Sequence, residues 1–458
     1  MMSIATSGAS DVSLGADFTG RVVRRGDGGW DELRRAFNLA LDQQPELVAV
    51  PADADDVARL VRFAARHGLR VAAQRTGHGA GPLGDLTGTV LLNTSALTAT
   101  RIDARKRRAR VEAGARWQDV VPAASELGLA ALHGSAPDIG IVGYSLSGGI
   151  GWYARKLGLA TNSVTAVELV TAEGERVRAS ADSEPELFWA LRGGGGNFGV
   201  VTALEFVLHE VGEIYAGAVF FPFERAHEVL HAWREWITTV PEEVTSLGRL
   251  LQLPPLEEIP EPLRGRSFAL VEATCLADEA SGRELLRPLH ELGPEIDTFA
   301  SVQPTALPAL HMDPPEPVPY AGADFTLGEF PAAAIDDILS AAGPGSGSPL
   351  TSLELRHLGG ALARPQSEHG ALATIDGAIL GFAVGMFGDD AGRSAVEAQL
   401  DRVRAAAARY ATARRYLNFV EADVDASAFF DPETLARLRS IKAAVDPDDI
   451  FRANHPIR

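Results

Sequence analysis

Apolar residues near the start of the chain follow two different spacings. The continuous run from Leu47 to Pro51 is typical of a buried strand. The next apolar residues recur at i, i+3, i+4 and i+7, which predicts one face of a helix: Val57, Leu60, Val61 and Ala64. Gly68 suits the end of that helix, and a second strand is predicted at Leu69 to Ala73. The chain therefore opens as strand, helix, strand.

The pattern changes after a long alternating strand that begins near Gly199. From 213 to about 408, strand-like runs alternate with amphipathic segments that predict helices: Arg225 to Thr238, Asp278 to Leu292 and Ala391 to Tyr410. This order predicts one antiparallel sheet with helices on one face. A last helix is predicted at Pro432 to Ala444, in a tail that is short for a separate domain. The predicted fold class is α+β.

Composition and charge exclude several classes of function. The 458 residues include 42 Lys and Arg against 61 Asp and Glu, so the net charge is −19 at pH 7. An acidic surface repels phosphate backbones and anionic lipids, so neither nucleic acid nor a membrane is an expected partner. Cys275 is the single cysteine, which excludes an intrachain disulfide and reads as a small buried hydrophobe. Met1 to Asp17 lacks the pattern of a secretion signal, so we expect a cytoplasmic location.

Three glycine-rich segments carry most of the chemical information: Gln74 to Gly84, His133 to Trp152 and Leu191 to Val201. Glycine lets main-chain N–H groups converge on an anion and lets a planar ring approach the chain. The first segment contains a formal G-x-G-x-x-G, but it leads into a strand, which argues against a Rossmann dinucleotide site. The third also runs into a strand, and no P-loop motif is present. Together the three segments favour FAD, which has a pyrophosphate and a flat ring system.

Several motifs resemble those of the berberine bridge enzyme-like flavin oxidases: QRTGHG at 74–79, the glycine-rich run at 134–152, LFWALRGGGGNFGVV at 187–201, YLNF at 416–419 and VDPDDIF at 445–451. That family has the FAD-binding fold of the p-cresol methylhydroxylase and vanillyl alcohol oxidase superfamily. The resemblance implies an FAD-binding domain built from two parts of the chain, 1–210 and 411–458. The implied substrate domain, 211–410, lies between them.

The resemblance also implies which residues hold the cofactor. His78 matches the histidine that is bonded to the 8α carbon of the flavin. Ala136 occupies the region where many relatives carry a second, cysteinyl link, so a single histidyl link to FAD is expected. The other implied FAD-binding residues lie in the three loops and the C-terminal motif: Gln74, Arg75, Thr76, Gly77, Gly79, Ala80, Pro137, Asp138, Gly140, Gly143, Tyr144, Gly148, Gly149, Gly199, Val200, Tyr416 and Asn418.

Oxidation of an alcohol or amine at a flavin needs a group that handles the proton of the substrate O–H or N–H. The family's frequent catalytic tyrosine is replaced here by Phe419, so another base is needed or none. In the SLELRHL strand, period-two alternation puts Glu354 and Arg356 on the face opposite Leu353 and Leu355. If the leucines meet the helices, the charged face looks toward the flavin. The resemblance then implies that Glu354 is a candidate base, because some relatives with a single histidyl link have a glutamate at this place, and Arg356 is a candidate ligand for a substrate anion or carbonyl. A solvated ion pair is the alternative.

Two tyrosines and two histidines have side chains that could transfer a proton or bind a metal. Tyr144 and Tyr320 are weaker acid/base candidates. His311 and His357 are expected to be ordinary polar residues because neither has metal partners at ligand spacing, and no metal site is predicted.

The predicted function is an FAD-dependent oxidase that transfers hydride from a small organic or secondary-metabolite substrate to flavin N5 and then to O2. Three alternatives remain open: a dehydrogenase with another acceptor, a non-redox cyclase or isomerase that uses the flavin, and a flavin-free binding protein. Loss of the tyrosine at Phe419 gives the non-redox alternative mild support. The substrate and the oligomeric state are left unassigned.

Overall fold

The computed structural model describes Leu14, Gly15 and residues 17–458. The predicted start of the first domain at residue 1 lies outside the described residues. So does most of the segment from Met1 to Asp17, on which the expectation about a secretion signal rests.

A four-stranded sheet opens the described chain. Its elements are β1 (Arg21–Val23), α1 (Trp30–Arg34), β2 (Leu47–Val50), α2 (Ala54–Arg66), β3 (Arg70–Gln74) and β4 (Thr89–Asn93). The strand order is β1-β2-β4-β3, with β2, β4 and β3 parallel and β1 antiparallel. Asp53 caps α2 by accepting a hydrogen bond from the N–H of Asp56 at 2.8 Å, and the predicted apolar face of α2 is buried.

A five-stranded antiparallel sheet follows, in the order β5-β6-β10-β8-β9. The elements of this part are β5 (Thr100–Asp103), β6 (Arg108–Glu112), α3 (Val121–Ser125), β7 (Leu129–Ala130), α4 (Ile141–Leu146), α5 (Ala154–Leu157), α6 (Ala160–Ser163), β8 (Val164–Val170), β9 (Arg176–Ser180), α7 (Pro185–Gly194), β10 (Val200–Val207) and β11 (His209–Glu210). Strands β7 and β11 form a separate short pair. The first glycine-rich segment follows β3 of the preceding sheet. The second lies between β7 and α5, and the third leads from α7 into β10.

The middle of the chain forms an eight-stranded antiparallel sheet covered by helices. Its elements are β12 (Ile214–Pro222), α8 (Ala226–Trp236), β13 (Val244–Gln252), β14 (Ser267–Cys275), α9 (Glu279–His290), β15 (Ile296–Asp297), β16 (Ala300–Val302), β17 (Tyr320–Leu327), α10 (Ala332–Ala342), β18 (Ser352–His357), β19 (Ile379–Met386) and α11 (Asp390–Ala407). The strand order is β15-β12-β14-β13-β18-β19-β17, and β16 pairs with β12. The sequence pattern missed α10 and four strands of this sheet: β13, β15, β16 and β17.

The C-terminal segment returns to the first sheet. After α12 (Pro432–Val445), Phe451 pairs with Val71 beside β3, where the N–H of Val71 donates to the Ile450 carbonyl at 2.8 Å. The N–H of Arg452 then donates to the Val71 carbonyl at 2.9 Å. Two distant parts of the chain therefore share one sheet edge, while the exact domain boundaries stay a prediction. Among the described residues, no helix has the length and apolar character to cross a bilayer.

Candidate active site

The first glycine loop leaves β3 at Gln74 and presents unpaired main-chain donors. The N–H groups of residues 76 to 79 make no hydrogen bond to another described residue. Gly77 has φ 75°, and a Cβ there would lie 2.7 Å from the Cα of Ala36, so only glycine fits. Consecutive free N–H groups of this kind suit an anion or a carbonyl-bearing ring.

Arg75 supplies a positive charge without an ionic partner. Its Nε donates to the Gly114 carbonyl at 2.6 Å, and it forms no ion pair with a described carboxylate. Burial lowers the pKa of this guanidinium. Gly140 of the second loop packs against it, because a Cβ on Gly140 would lie 3.1 Å from the Arg75 side chain. A partly buried, unpaired arginine between two glycine loops suits a phosphate ligand.

His78 lies in the same loop with its ring held on three sides. The ring stacks on Phe37 at 3.9 Å between centroids, and its Nδ1 is 2.8 Å from Thr76 Oγ1. Its Nε2 is 3.6 Å from Asp138 Oδ2, which brings the first and second loops together. Burial lowers the pKa of His78 to about 4 despite the opposing field of Asp313. The imidazole is therefore neutral at pH 7 and retains a nucleophilic nitrogen.

The other predicted residues of the first loop are close to these groups. Gln74 donates from Nε2 to the Arg35 carbonyl at 3.4 Å and leaves its buried Oε1 without a partner. A Cβ on Gly79 would lie 3.1 Å from the Asn454 side chain. Ala80 is buried, and its N–H donates to the Gly77 carbonyl at 3.2 Å.

In the second loop, Pro137 and Asp138 precede the short helix α4. The Pro137 carbonyl accepts a hydrogen bond from the N–H of Gln118 at 2.8 Å, which anchors the loop. Burial raises the pKa of Asp138. Gly143 is exposed, and no atom lies within 4 Å of the position of a Cβ, so the surface here is open.

The C-terminal YLNF motif holds the second glycine loop. Tyr416 accepts a hydrogen bond at its hydroxyl from the N–H of Ile150 at 2.8 Å. Asn418 accepts from the N–H of Gly149 at 3.2 Å and donates to the Tyr144 carbonyl at 3.1 Å. A Cβ on Gly148 would lie 2.8 Å from the Tyr416 ring. Tyr416 and Asn418 thus position the loop, and their direct contact with FAD stays a prediction.

Tyr144 is deeply buried in the second loop. Its ring meets the Trp117 ring edge to face at 5.4 Å, and its hydroxyl has no hydrogen-bond partner among the described residues. Burial raises the pKa of this phenol well above its ordinary value. Tyr144 therefore lies beside the predicted site but is a poor base at neutral pH.

Gly199 and Val200 of the third loop serve packing. Val200 is buried at the start of β10, opposite Val170 of β8. A Cβ on Gly199 would lie 2.6 Å from Leu169, so the strands approach closely here. Asn197 ties the same loop to the C-terminus by donating to the His455 carbonyl at 3.0 Å. Contact of Gly199 and Val200 with FAD stays a prediction.

Glu354 and Arg356 lie on the sheet face that the sequence pattern predicted. Leu353 and Leu355 are buried in the core formed with the helices, so the charged side chains point away from that core. Arg356 donates from Nε and Nη2 to the two carboxylate oxygens of Glu354 at 2.9 and 3.0 Å. Glu354 is only 3% exposed, so this is a buried pair and the alternative of a solvated pair is wrong.

Three neighbours extend this pair into a chain of buried charges. His311 Nε2 is 2.9 Å from Glu354 Oε2, and His311 Nδ1 is 2.6 Å from Glu272 Oε2. Arg249 completes the chain by donating from Nη1 to Glu272 Oε1 at 3.0 Å. His311 was expected to be an ordinary polar residue, but it links two carboxylates. Arg249 and Glu272 were missed, although each is the one charged residue of a nine-residue strand, which is a signal that the sequence offers.

The chain of charges sets the protonation of its members. Burial and Arg249 lower the pKa of His311, but Glu272, Asp313 and Glu354 outweigh them and raise it to about 9. Burial raises the pKa of Glu354, but Arg356 and His311 together hold it well below its ordinary range. His311 is therefore a cation at neutral pH and Glu354 an anion. As a general base Glu354 is weak in this arrangement, which revises the role predicted for it.

Aromatic side chains connect this charged face to the glycine loops. The Arg356 guanidinium lies 5.3 Å from the centroid of the Phe419 ring. Phe419 also contacts Phe382 at 5.0 Å and Tyr416 at 5.4 Å between centroids. Because Tyr416 binds the second glycine loop, the charged face and the loops border the same region of the molecule.

Glu421 is a titratable group that the sequence pattern did not reveal. Its Oε1 accepts a hydrogen bond from the Tyr320 hydroxyl at 3.2 Å, and its Oε2 is buried without a partner. Burial raises the pKa of Glu421 to about 7. A Cβ on Gly322 would lie 2.9 Å from Phe382 and 3.4 Å from Glu421, so the carboxyl adjoins the aromatic cluster. Only the fold brings Tyr320 and Glu421 together.

Cys275 and His357 are two titratable residues for which no function was predicted. Cys275 is fully buried, and burial raises the pKa of its thiol to about 12, as for a small hydrophobe. His357 ends β18 partly buried, and burial lowers its pKa to about 3.

These features define a class of protein. Free main-chain N–H groups and the unpaired Arg75 fit a pyrophosphate, glycines let a flat ring approach, and the orphaned Oε1 of Gln74 offers an acceptor. The residues present therefore fit FAD, and the class is an FAD-binding protein with a separate eight-stranded antiparallel sheet.

Comparison with known proteins agrees with an FAD-binding protein. Residues 45–180 match the family described as FAD binding domain, and residues 415–458 match the family described as berberine and berberine like. The chain is 36% identical to the (R)-6-hydroxynicotine oxidase of Paenarthrobacter nicotinovorans over 203 residues, 44% of either chain. It is 30% identical to the chitooligosaccharide oxidase of Gibberella zeae over 288 residues, 62% of this chain and 54% of that protein. The chain thus spans about half the length of these relatives.

A solved structure extends the likeness over the whole chain. The 6-hydroxy-D-nicotine oxidase of Arthrobacter nicotinovorans superposes with a TM-score of 0.84 at 25% identity, covering 98% of this chain and 99% of that one. The chain therefore resembles the berberine bridge enzyme-like FAD-linked proteins in these two matched segments and in its fold. The predicted resemblance, the α+β fold and the FAD cofactor are confirmed.

Proposed function

We propose that this protein is an FAD-dependent oxidase of small organic molecules. The observation that carries the proposal is the shared border between the glycine loops and the charged sheet face, joined through Tyr416, Phe419 and Arg356. Bound FAD supplies a hydride acceptor at N5 and passes the electrons to O2. The chain's own residues bind and orient the reactants and handle the proton.

FAD attachment through His78 is part of the proposal. The ring is neutral at pH 7 because its pKa is lowered to about 4, so a nitrogen lone pair would be free to bond to the 8α carbon. In that reaction the 8α methyl group and the imidazole would each lose a proton, and the two electrons released would reduce the flavin itself, which O2 would then reoxidise. Phe37 and Thr76 fix the ring orientation. Ala136 has no sulfur for a second link, so one covalent bond is expected.

Glu354 and Arg356 are proposed to orient the substrate. The ionised Glu354 accepts a hydrogen bond from a substrate N–H or O–H, and Arg356 faces a carbonyl or anionic group beside Phe419. Both side chains are already held by partners, so little motion is needed on binding.

Glu421 is the proposed proton acceptor at neutral pH. A general base works best when its pKa is close to the operating pH, and the pKa of Glu421 is about 7. Tyr320 and Tyr144, whose phenol pKa values are raised by burial, act as hydrogen-bond donors. An oxidation that starts from a neutral amine needs no base, and Glu421 then has no effect on the rate.

Acid precipitation tests the cofactor assignment. We expect a yellow pellet from the purified protein and a yellow supernatant from His78→Ala. Asn454→Ala, which alters the same loop without touching the imidazole, is the control and should keep the colour in the pellet. A yellow pellet from His78→Ala contradicts the link.

Peroxide measurement tests the activity. O2 consumption is screened with a panel of cyclic amines and oligosaccharides. These two classes are chosen because the relatives are named as oxidases of 6-hydroxynicotine and of chitooligosaccharides. One H2O2 per substrate oxidised supports the oxidase. Turnover with a dye but not with O2 supports a dehydrogenase, and product formation without any electron acceptor supports the cyclase or isomerase. A cytoplasmic location belongs to the same proposal, supported by the presence of a single cysteine. A role in secondary metabolism is proposed with it.

A further inference from the structure

Two histidines and an aspartate converge on the helical layer of the substrate domain, on the opposite side of the sheet from Glu354. His227 Nε2 and His231 Nε2 lie 3.1 and 2.8 Å from the same oxygen, Asp336 Oδ1. The three ligand atoms lie within 4.8 Å of one another. In a tetrahedral zinc site with bonds of about 2.0–2.1 Å, neighbouring ligand atoms are about 3.3 Å apart. The three atoms therefore already approximate one face of such a site.

The backbone that carries these ligands is fixed by packing. Residues 227 to 231 read H-E-V-L-H, so the two imidazoles are four residues apart on one face of α8. Helix α8 buries Val229 and Trp233, and α10 buries Ile335 on either side of the cluster. Only small side-chain rotations are needed to close the three atoms around a cation.

The charge at the cluster also suits a cation. Asp336 makes no ion pair with a lysine or arginine among the described residues, and its charged partners are the two imidazoles. The net charge of −19 further favours the approach of cations.

The same residue pattern occurs in zinc peptidases, where the glutamate is a general base. Here Arg225 holds both carboxylate oxygens of Glu228, at 2.8 and 2.9 Å. His227 is also largely exposed, with 72% of its side chain accessible, so water is not excluded from the ligands. These two features argue for a structural cation site and against hydrolysis.

We propose that His227, His231 and Asp336 bind one divalent transition-metal ion, Zn2+ or an ion of similar preference, with water as the fourth ligand. The ion links α8 to α10 and so stabilises the helical layer that covers the substrate sheet. This site is independent of the flavin and of the proposed oxidase activity.

A zinc titration of the full flavoprotein, made without a histidine tag and stripped with chelator, tests the proposal. Zinc chloride competes with a chromophoric chelator for the protein. We expect one equivalent to bind, and we expect His231→Ala and Asp336→Asn each to weaken binding by at least about tenfold. In the His290→Ala control, which removes an imidazole paired with the single carboxylate of Asp297, binding should not change.

Two further measurements separate ligation from damage to the fold. Zinc should raise the thermal midpoint of the wild-type protein by about 2–4 °C and leave that of His231→Ala unchanged. Co2+ should give visible absorption bands in the wild-type protein that are lost in His227→Ala, an exposed position where the fold tolerates substitution. Equal zinc affinity in the wild-type and Asp336→Asn proteins, or the absence of binding in the wild type, overturns the proposal.

Discussion

The glycine loops and the charged sheet face differ in how far their polar and charged groups are already paired within the protein. The loops use main-chain N–H groups and Arg75, which forms no ion pair with a described residue, and leave donors free for a ligand. The sheet face uses side chains that are already paired, from Arg249 through His311 to Arg356. A cofactor that stays bound can complete an unsatisfied site, whereas a substrate that comes and goes needs a face that is stable without it. The two regions should therefore respond differently to the same kind of substitution.

The largest effect is expected from Glu354→Gln. The change removes the charge that we propose orients the substrate while keeping the shape of the side chain, so turnover should fall by about 10²-fold or more. FAD content should not change, because the loops that hold FAD make no contact with this carboxylate. Steady-state kinetics and the visible spectrum measure the two quantities. Turnover equal to that of the wild type removes Glu354 from the mechanism.

A matched pair of substitutions compares the two regions directly. Arg249→Met leaves Glu272 buried with only His311 as a charged partner, and the free energy of unfolding should fall by about 3–5 kcal/mol. Arg75→Met removes a cation that has no ionic partner, so stability should change little while FAD incorporation slows. Urea denaturation and flavin absorbance measure these outcomes. Equal losses of stability would remove the contrast between the regions.

Glu421 gives a pH-dependent test. It is protonated in the folded protein up to about pH 7 but ionises near pH 4.5 in the unfolded chain. Between these values the folded state binds more protons, so this group lowers the free energy of unfolding as pH rises, by up to about 3 kcal/mol. Glu421→Gln should remove that decline, as shown by urea denaturation at pH 5 and pH 8. The exposed control Glu175→Gln should keep the wild-type pH dependence.

The smallest effect is expected from Tyr416→Phe. The change leaves the N–H of Ile150 without its partner, which should cost about 1–3 kcal/mol and loosen the second loop. Tyr410→Phe, which removes a hydroxyl bound to the partly exposed Asp337, should cost less. Denaturation curves of the two variants provide the comparison. A larger loss at Tyr410 would show that the motif does not hold the loop.

Local patterns predicted much of the cofactor region. The glycine loops, the loop that contains His78 and the C-terminal motif are short segments. Each can be recognised from adjacent residues in the sequence, without knowledge of the rest of the fold. The alternation at 352–357 likewise gave the correct face for Glu354 and Arg356 because a strand has a period of two. The alternation did not predict the protonation of these groups. Glu354 lies on the predicted face, but its pKa is lowered by Arg356 and His311, so it is a weaker base than expected.

The sequence by itself determined the resemblance to a family, the three glycine loops and the face on which Glu354 and Arg356 leave β18. Only the tertiary structure decided that His311 lies between Glu272 and Glu354, that Glu421 meets Tyr320, and that Asp336 completes a histidine pair. These partners are far apart along the chain, and the protonation of a buried group depends on which charges surround it and how much water is excluded. Packing between distant segments sets both, so neither can be read from local spacing.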